Sequence, residues 1–357
     1  SRYPRLIWWR IAAVVDLLKS VYAGTTAWQF EHLANAAQRA WWRERVERAD
    51  TPEPSHEERL QLFEWLARSH QLEDFLQKRY QGQKRFSLEG GESLIPLLEW
   101  VIRSGAAHGL NEIVLGMAHR GRINVLNNTL GKTYQQIFTD FEHNFRDEFA
   151  DGGGDVKYHK GYSSQRALPG GRTMHLSLAS NPSHLESVNA VVCGRARGKQ
   201  RLRGDTASRR AVMPLLIHGD AAMIGQGVVA ELFNMARLDG YTTGGTLHIV
   251  TNNLVGFTTD SDDGRSSVYC TDLALGSDCP IVHVNGDDPE AVIRAAALAT
   301  EFRQTFGRDV IVDLYCYRKY GHNEQDNASF TQPLLAELIS ADKDIGVLRR
   351  YAQRLVA

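Results

Sequence analysis

Leu215-Leu216-Ile217-His218-Gly219-Asp220-Ala221-Ala222 is the stretch on which the reading of the chain turns. A short apolar run closed by a Gly-Asp step predicts a buried strand with Asp220 at its carboxyl end. A helix-like segment, Gln226–Leu238, follows, and then a second β-rich run, Thr246–Thr251, ending in Asn252-Asn253. Strand, helix, strand in that order predicts a right-handed crossover between parallel neighbours. Asp220 and Asn253 would then meet at adjacent strand ends, where open α/β sheets bind their ligands.

An Asp carboxylate and an Asn carbonyl are hard oxygen donors, and Mg²⁺ takes a few such groups together with the oxygens of a bound diphosphate. Gly225 and Gly227, at the start of the intervening helix, would let backbone approach the phosphates. Gly-Asp and Asn-Asn pairs also serve as ordinary turn residues, so spacing alone leaves a ligand site and a plain turn both open.

Outward from this unit the same grammar repeats. Glu112–Leu115, Ile281–Val284 and Val310–Tyr315 read as further strands, and Ser93–Ser104 and Pro289–Phe306 as helices. Residues 85–357 are therefore expected to form one α/β domain, a parallel sheet with helices on both faces. Residues 1–84 read as an N-terminal helical region: Leu6, Trp9, Ile11, Val14, Leu17 and Leu18 recur near helical spacing, and Trp41-Trp42 lie in a second helix-favouring stretch. Thr51-Pro52-Glu53-Pro54 interrupts it. Ser55 with Glu58 then makes a capping-box signature ahead of Leu62, Phe63, Leu66, Phe75 and Leu76. Residues 140–180, with Gly152-Gly153-Gly154, read as a loop-rich insert.

Composition narrows the partners. At 357 residues and 43% hydrophobic, the chain can bury a large core; its 41 Lys+Arg against 42 Asp+Glu supply no global field for nucleic acid or an anionic membrane. The apolar opening Leu6–Leu18 is cut by Arg10 and Asp16, so no membrane span is expected there. Cys193, Cys270, Cys279 and Cys316 contain no C-x-x-C pair, which fits reduced thiols.

Several longer phrases carry more information than any spacing. They include Phe86-Ser-Leu-Glu-Gly-Gly-Glu-Ser-Leu-Ile-Pro96, Gly116-Met-Ala-His-Arg-Gly-Arg122, Gly154-Asp-Val-Lys-Tyr-His159 and Asn181-Pro-Ser-His-Leu-Glu186. Gly264-Arg-Ser-Ser267, Tyr269-Cys-Thr-Asp272, Gly321-His-Asn-Glu324 and Phe330-Thr-Gln-Pro333 follow. In order and spacing, together with Gly219-Asp220 and Asn253, they resemble the thiamine-diphosphate-dependent 2-oxo acid dehydrogenases of the 2-oxoglutarate type.

That resemblance implies thiamine diphosphate as cofactor, with Mg²⁺ held by Asp220, Asn253 and the backbone carbonyl of Val255. It implies diphosphate contacts from Arg120 and Ala221, and it gives His159 and His184 as active-site histidines that orient substrate carboxylates and move protons. His119, His218 and His322 lie in matched phrases too. The implied activity is oxidative decarboxylation of 2-oxoglutarate, with the succinyl group passed to a lipoyl-bearing succinyltransferase component of a multienzyme complex. A 2-oxoadipate enzyme and a catalytically silent module are the alternatives. Members of the family continue beyond the Phe-Thr-Gln-Pro phrase into a domain that binds the aminopyrimidine, so a homodimer of a longer chain or a second polypeptide is expected to supply that half. Cytoplasm in a bacterium, or the mitochondrial matrix in a eukaryote, is the expected compartment.

Overall fold

The computed structural model describes residues 11–48, 53–142, 156–341 and 346–356. Ten strands occur among them: β1 (Thr26–Gln29), β2 (Glu112–Met117), β3 (Tyr162–Ala167), β4 (Thr173–Leu178), β5 (Val212–Gly219), β6 (Leu247–Asn252), β7 (Val255–Gly256), β8 (Thr259–Asp260), β9 (Ile281–Asn285) and β10 (Val310–Tyr315). Eight form one sheet in the order β1-β9-β10-β6-β5-β2-β4-β3, and β7 and β8 pair separately. The six inner strands are mutually parallel; β1 and β3 close the two edges antiparallel.

Five of the six inner strands are largely apolar because helices cover both faces of the sheet, leaving no solvent side for alternating polar residues; β4, Thr-Met-His-Leu-Ser-Leu, next to the edge strand, is the exception. β2 and β6 are buried at every position. The helices Leu94–Ala107 and Pro289–Phe306 cover one face, and Val188–Leu202 lies against β2 and β5. Five expected strands and the helices near 93–104 and 289–306 are present within a few residues of their sequence boundaries. The expected helix Gln226–Leu238 is present as Gly227–Met235, and a separate short helix, Asp220–Gly225, precedes it; Gln226, between two glycines and extended at φ −102°, ψ 114°, divides them.

Two expectations need correction. The stretch 140–180, read as a loop-rich insert, contains the hairpin β3–β4, turned through Pro169-Gly170-Gly171 with both glycines at positive φ. β3 is Tyr-Ser-Ser-Gln-Arg-Ala, half exposed at an edge, so it carries no apolar alternation to read. Gly152-Gly153-Gly154 lie outside the described residues, as do Leu6 and Trp9. The region 1–84 is helical, at Ile11–Tyr22, Ala36–Val46 and His56–Arg79, yet it also gives the sheet its edge strand β1, with Thr26 opposite Val284 and Gln29 opposite Ile281.

The N-terminal helices share the main core. Trp41 and Trp42 pack on Phe302 with ring centroids 5.5 and 5.3 Å apart, contacts worth roughly 0.5–1.5 kcal/mol each beyond the area they bury. The Ser55 capping box forms as expected: Ser55 Oγ accepts from Glu58 N at 3.2 Å, and Ser55 N donates to the Glu58 carboxylate at 2.7 Å.

Buried Glu99, on helix Leu94–Ala107, faces Arg166 at 2.6 Å while its second oxygen has no hydrogen-bond partner. Burial pushes its carboxyl up from 4.5 to about 7, with Arg166 opposing. The folded state therefore holds this proton more tightly than the unfolded chain, so the fold is free of an ionisation penalty at low pH and carries it in full above about pH 7. Glu99→Gln is expected to leave the melting temperature unchanged near pH 4 and to raise it by about 2–4 °C at pH 8, read by thermal denaturation at both pH values.

Candidate functional site

Parallel pairing of β5 with β6 sets Gly219 opposite Thr251, so the short helix starting at Asp220 and the loop starting at Asn253 leave the sheet side by side. The loop after β2 brings Ala118-His119-Arg120 to the same end, and the segment after β10 brings Arg318 and His322. Together they enclose a cavity of about 90 Å³. Arg120, Asp220, Ala221, Asn253 and Val255 all border it. So does Gly219; Gly225 and Gly227, expected to open the approach to phosphates, do not.

Asp220 is 3% exposed. Burial pushes its carboxyl up to about 6, against the pull of nearby backbone N–H groups and of Arg265, whose guanidinium stands 4.0 Å away. A carboxylate stripped of water with so distant a counter-charge favours an added cation. Asn253 Oδ1 accepts from Val255 N at 3.2 Å, and Asn252 Oδ1 accepts from Leu254 N at 3.2 Å, so two successive Asx turns shape the loop. Leu254 and Phe257 sit at φ 60° and 57°, conformations that cost of order 1–3 kcal/mol each and persist where the surroundings enforce them. The loop is anchored below, where Asn252 Nδ2 donates to Asp313 at 3.1 Å and Asp313 in turn meets His283 Nδ1 at 2.8 Å.

Arg120 donates to two backbone carbonyls, Ser87 O at 3.2 Å and His322 O at 2.6 Å. No carboxylate among the described residues lies within ion-pairing distance of it, so the charge is held in place without being neutralised. Burial and neighbouring Arg318 bring its pKa down to about 10, which leaves it cationic at neutral pH. The two segments supplying those carbonyls are joined by Glu324, whose carboxylate accepts from the N–H groups of Arg85, Phe86 and Ser87 at 2.8, 3.2 and 2.9 Å. Burial and Arg120 lower His119 to about 3 and His322 to about 4, so both are neutral single donors beside the arginine. Their rings pack on Phe86, at 4.0 and 5.4 Å.

His159 and His184 stand to one side of the cavity rather than in its wall. His159 Nε2 is 3.2 Å from Ser183 Oγ, and its carbonyl accepts from Asn181 N at 3.0 Å, tying it to the segment that carries His184. His184 is exposed, and the next residue, Leu185, borders the cavity. Phe257 and Arg318 also line it and carried no sequence signal, because an apolar or cationic residue in a loop has no periodicity to betray its direction.

Among the described residues no group of three or more His, Cys, Asp or Glu side chains is disposed to hold a metal. One carboxylate, one amide oxygen and backbone carbonyls nevertheless suit Mg²⁺, which keeps few protein ligands and completes its shell with water and phosphate oxygens. The loops approach closely: a Cβ on Gly256 would stand 2.6 Å from the Ala221 Cβ. Gly256→Ala should push Ala221 aside, an overpacking of about 1–3 kcal/mol, and weaken magnesium-dependent pyrophosphate binding about tenfold by titration calorimetry. Unchanged affinity would show that this contact does not shape the site.

Residues 64–357 match the family described as dehydrogenase E1 component. The chain is similar to the 2-oxoglutarate dehydrogenase E1 component of Brucella anthropi, at 47% identity over 97% of the chain and 35% of that protein. It is also similar to the protein so named from Cupriavidus necator, at 48% identity over 96% of the chain and 36% of that protein. The chain thus spans about a third of the length of these relatives.

Proposed function

The chain belongs to the dehydrogenase E1 component family, and on that premise we propose that it carries the diphosphate- and magnesium-binding part of a 2-oxoglutarate dehydrogenase. The activity is oxidative decarboxylation of 2-oxoglutarate with transfer of the succinyl group to a lipoyl-bearing succinyltransferase component. The observation that carries this reading is the convergence of desolvated Asp220, Asn253 and un-neutralised Arg120 on one cavity at the carboxyl ends of parallel strands.

In this reading Asp220, the Asn253 side-chain oxygen and the Val255 carbonyl hold Mg²⁺, while Arg120 and the backbone at Ala221 take the diphosphate of thiamine diphosphate. Charge-assisted hydrogen bonds from a pre-positioned guanidinium suit phosphate oxygens. When bound, the cofactor supplies the electron sink that decarboxylation of a 2-oxo acid requires. His159 and His184 receive the carboxylates of the dianionic substrate and exchange protons near the reacting carbon. Neutral His119 and His322 add hydrogen-bond donors without adding charge. The aminopyrimidine side of the site comes from further sequence in a homodimer or from a second chain. The relatives named above are bacterial, which supports a cytoplasmic setting; no helix among the described residues is long and apolar enough to cross a membrane.

Two measurements test these assignments. Titration calorimetry is expected to show magnesium-dependent binding of thiamine diphosphate that Asp220→Ala weakens at least tenfold, about 1.4 kcal/mol; equal binding by the variant removes Asp220 from the site. In the intact enzyme, His159→Ala and His184→Ala should each lower turnover of 2-oxoglutarate roughly a hundredfold while cofactor affinity holds, and near-normal rates would return both residues to a structural role.

A further inference from the structure

His184 is exposed, yet the turn that carries it is tied into the middle of the sheet. Two residues on, Glu186 is buried and adopts φ 68°, a left-handed conformation that a residue with a Cβ rarely takes. Its carboxylate receives N–H groups from Asn189 Nδ2 at 2.5 Å and His218 Nδ1 at 2.7 Å. The turn is closed around it, with Ser187 Oγ donating to His184 O at 2.8 Å and Asn189 N to Glu186 O at 3.1 Å. Burial alone would raise the Glu186 pKa, but His218 and Asn189 outweigh it and hold the carboxyl below its ordinary value.

An ionised carboxylate only accepts, so His218 Nδ1 carries a proton and donates to Glu186. The other ring nitrogen, Nε2, shares a hydrogen bond with His248 Nδ1 at 3.0 Å. Both nitrogens of His218 are therefore engaged, and although the residue borders the cavity its imidazole has none to offer a ligand. Buried polar chains of this kind do not exceed well-packed apolar side chains in stability, and a left-handed non-glycine residue adds strain. What the arrangement secures is a fixed geometry for the turn, in which Leu185 forms cavity wall and His184, next to it in the chain, is exposed.

We propose that the Glu186–His218 pair is the positioning device for His184, setting where the 2-oxo acid's carboxylate is received. The inference rests on the active-site reading of His184 given above. Glu186 and His218 do not touch the substrate; they act through the turn.

The test is steady-state kinetics of the intact, magnesium- and thiamine-diphosphate-loaded enzyme for His184→Ala, Glu186→Gly, Glu186→Gln and the double variant His184→Ala/Glu186→Gly, with cofactor affinity measured alongside by calorimetry. Glycine accepts φ 68° without strain, so Glu186→Gly removes the anchor and not the backbone conformation. It is expected to raise KM for the 2-oxo acid about tenfold with cofactor affinity unchanged, while Glu186→Gln, which keeps an acceptor for His218, restores most of the loss. The double variant should be no worse than His184→Ala, because a residue acting through His184 has nothing left to act on. Wild-type KM in Glu186→Gly, or additive losses in the double variant, overturns the proposal while the reading of His184 stands. Wild-type kinetics in His184→Ala removes that reading and the proposal with it. Should Glu186→Gly fail to bind cofactor, Asn189→Ala, which deletes one of the two donors, takes its place: a raised KM at unaltered cofactor affinity supports the proposal and an unchanged KM overturns it.

Discussion

Backbone pairing between β5 and β6 is the constraint from which the site follows. Leu215 pairs with Leu247 and Gly219 with Thr251 in an unbroken parallel register, so the two segments that leave these strands start within one residue of each other. A shift of the register by one residue would send every side chain of β6 to the opposite face and carry Asn253 away from Asp220. The burial of both strands opposes that slip, since every position of β6 and all but the last of β5 is buried. Core packing thereby sets the distance between two polar residues that contribute nothing to the core.

Around that pair the molecule concentrates buried charge. Arg85 lies among Glu73, Glu89 and Glu324 at 3.5, 3.2 and 3.6 Å, all almost without solvent. Burial pushes Glu73 above the usual carboxylate range in spite of Arg85. Such clusters are weak evidence for stability, because desolvation offsets most of the attraction. Their consequence is geometric. By gathering three consecutive N–H groups, Glu324 holds the 85–87 segment against the loop of His322, and carbonyls from both sides grip Arg120. A guanidinium so held meets an anion with little left to reorganise.

Much of this was legible because it rests on local pattern. Continuous apolar runs marked β2, β5, β6, β9 and β10, and Ser55 with Glu58 marked the start of a long helix, each through interactions among near neighbours in sequence. β1, β3 and β4 escaped for the opposite reason. Thr26–Gln29 is too short for a period, and the polar face of β3 becomes a strand only because β4 is there to accept its hydrogen bonds. The phrase Asn181-Pro-Ser-His-Leu-Glu186 pointed to His184, but nothing in it shows that Glu186 meets His218, since that contact spans 32 residues.

By itself, the sequence determined the class of fold, the parallel unit containing Asp220 and Asn253, the resemblance to a dehydrogenase family, and the identity of the polar residues that converge, because strand burial and loop chemistry are encoded within windows of a few residues. Only the tertiary structure decided which of those residues share a cavity, that Arg120 keeps its charge un-neutralised, that Asp220 is desolvated, and that His218 is spent on holding a turn. Desolvation and hydrogen-bond partnership depend on what the rest of the chain places nearby. A carboxylate or an imidazole has the same covalent structure at the surface and in the core; its charge state and its free nitrogens are set by neighbours far away in sequence.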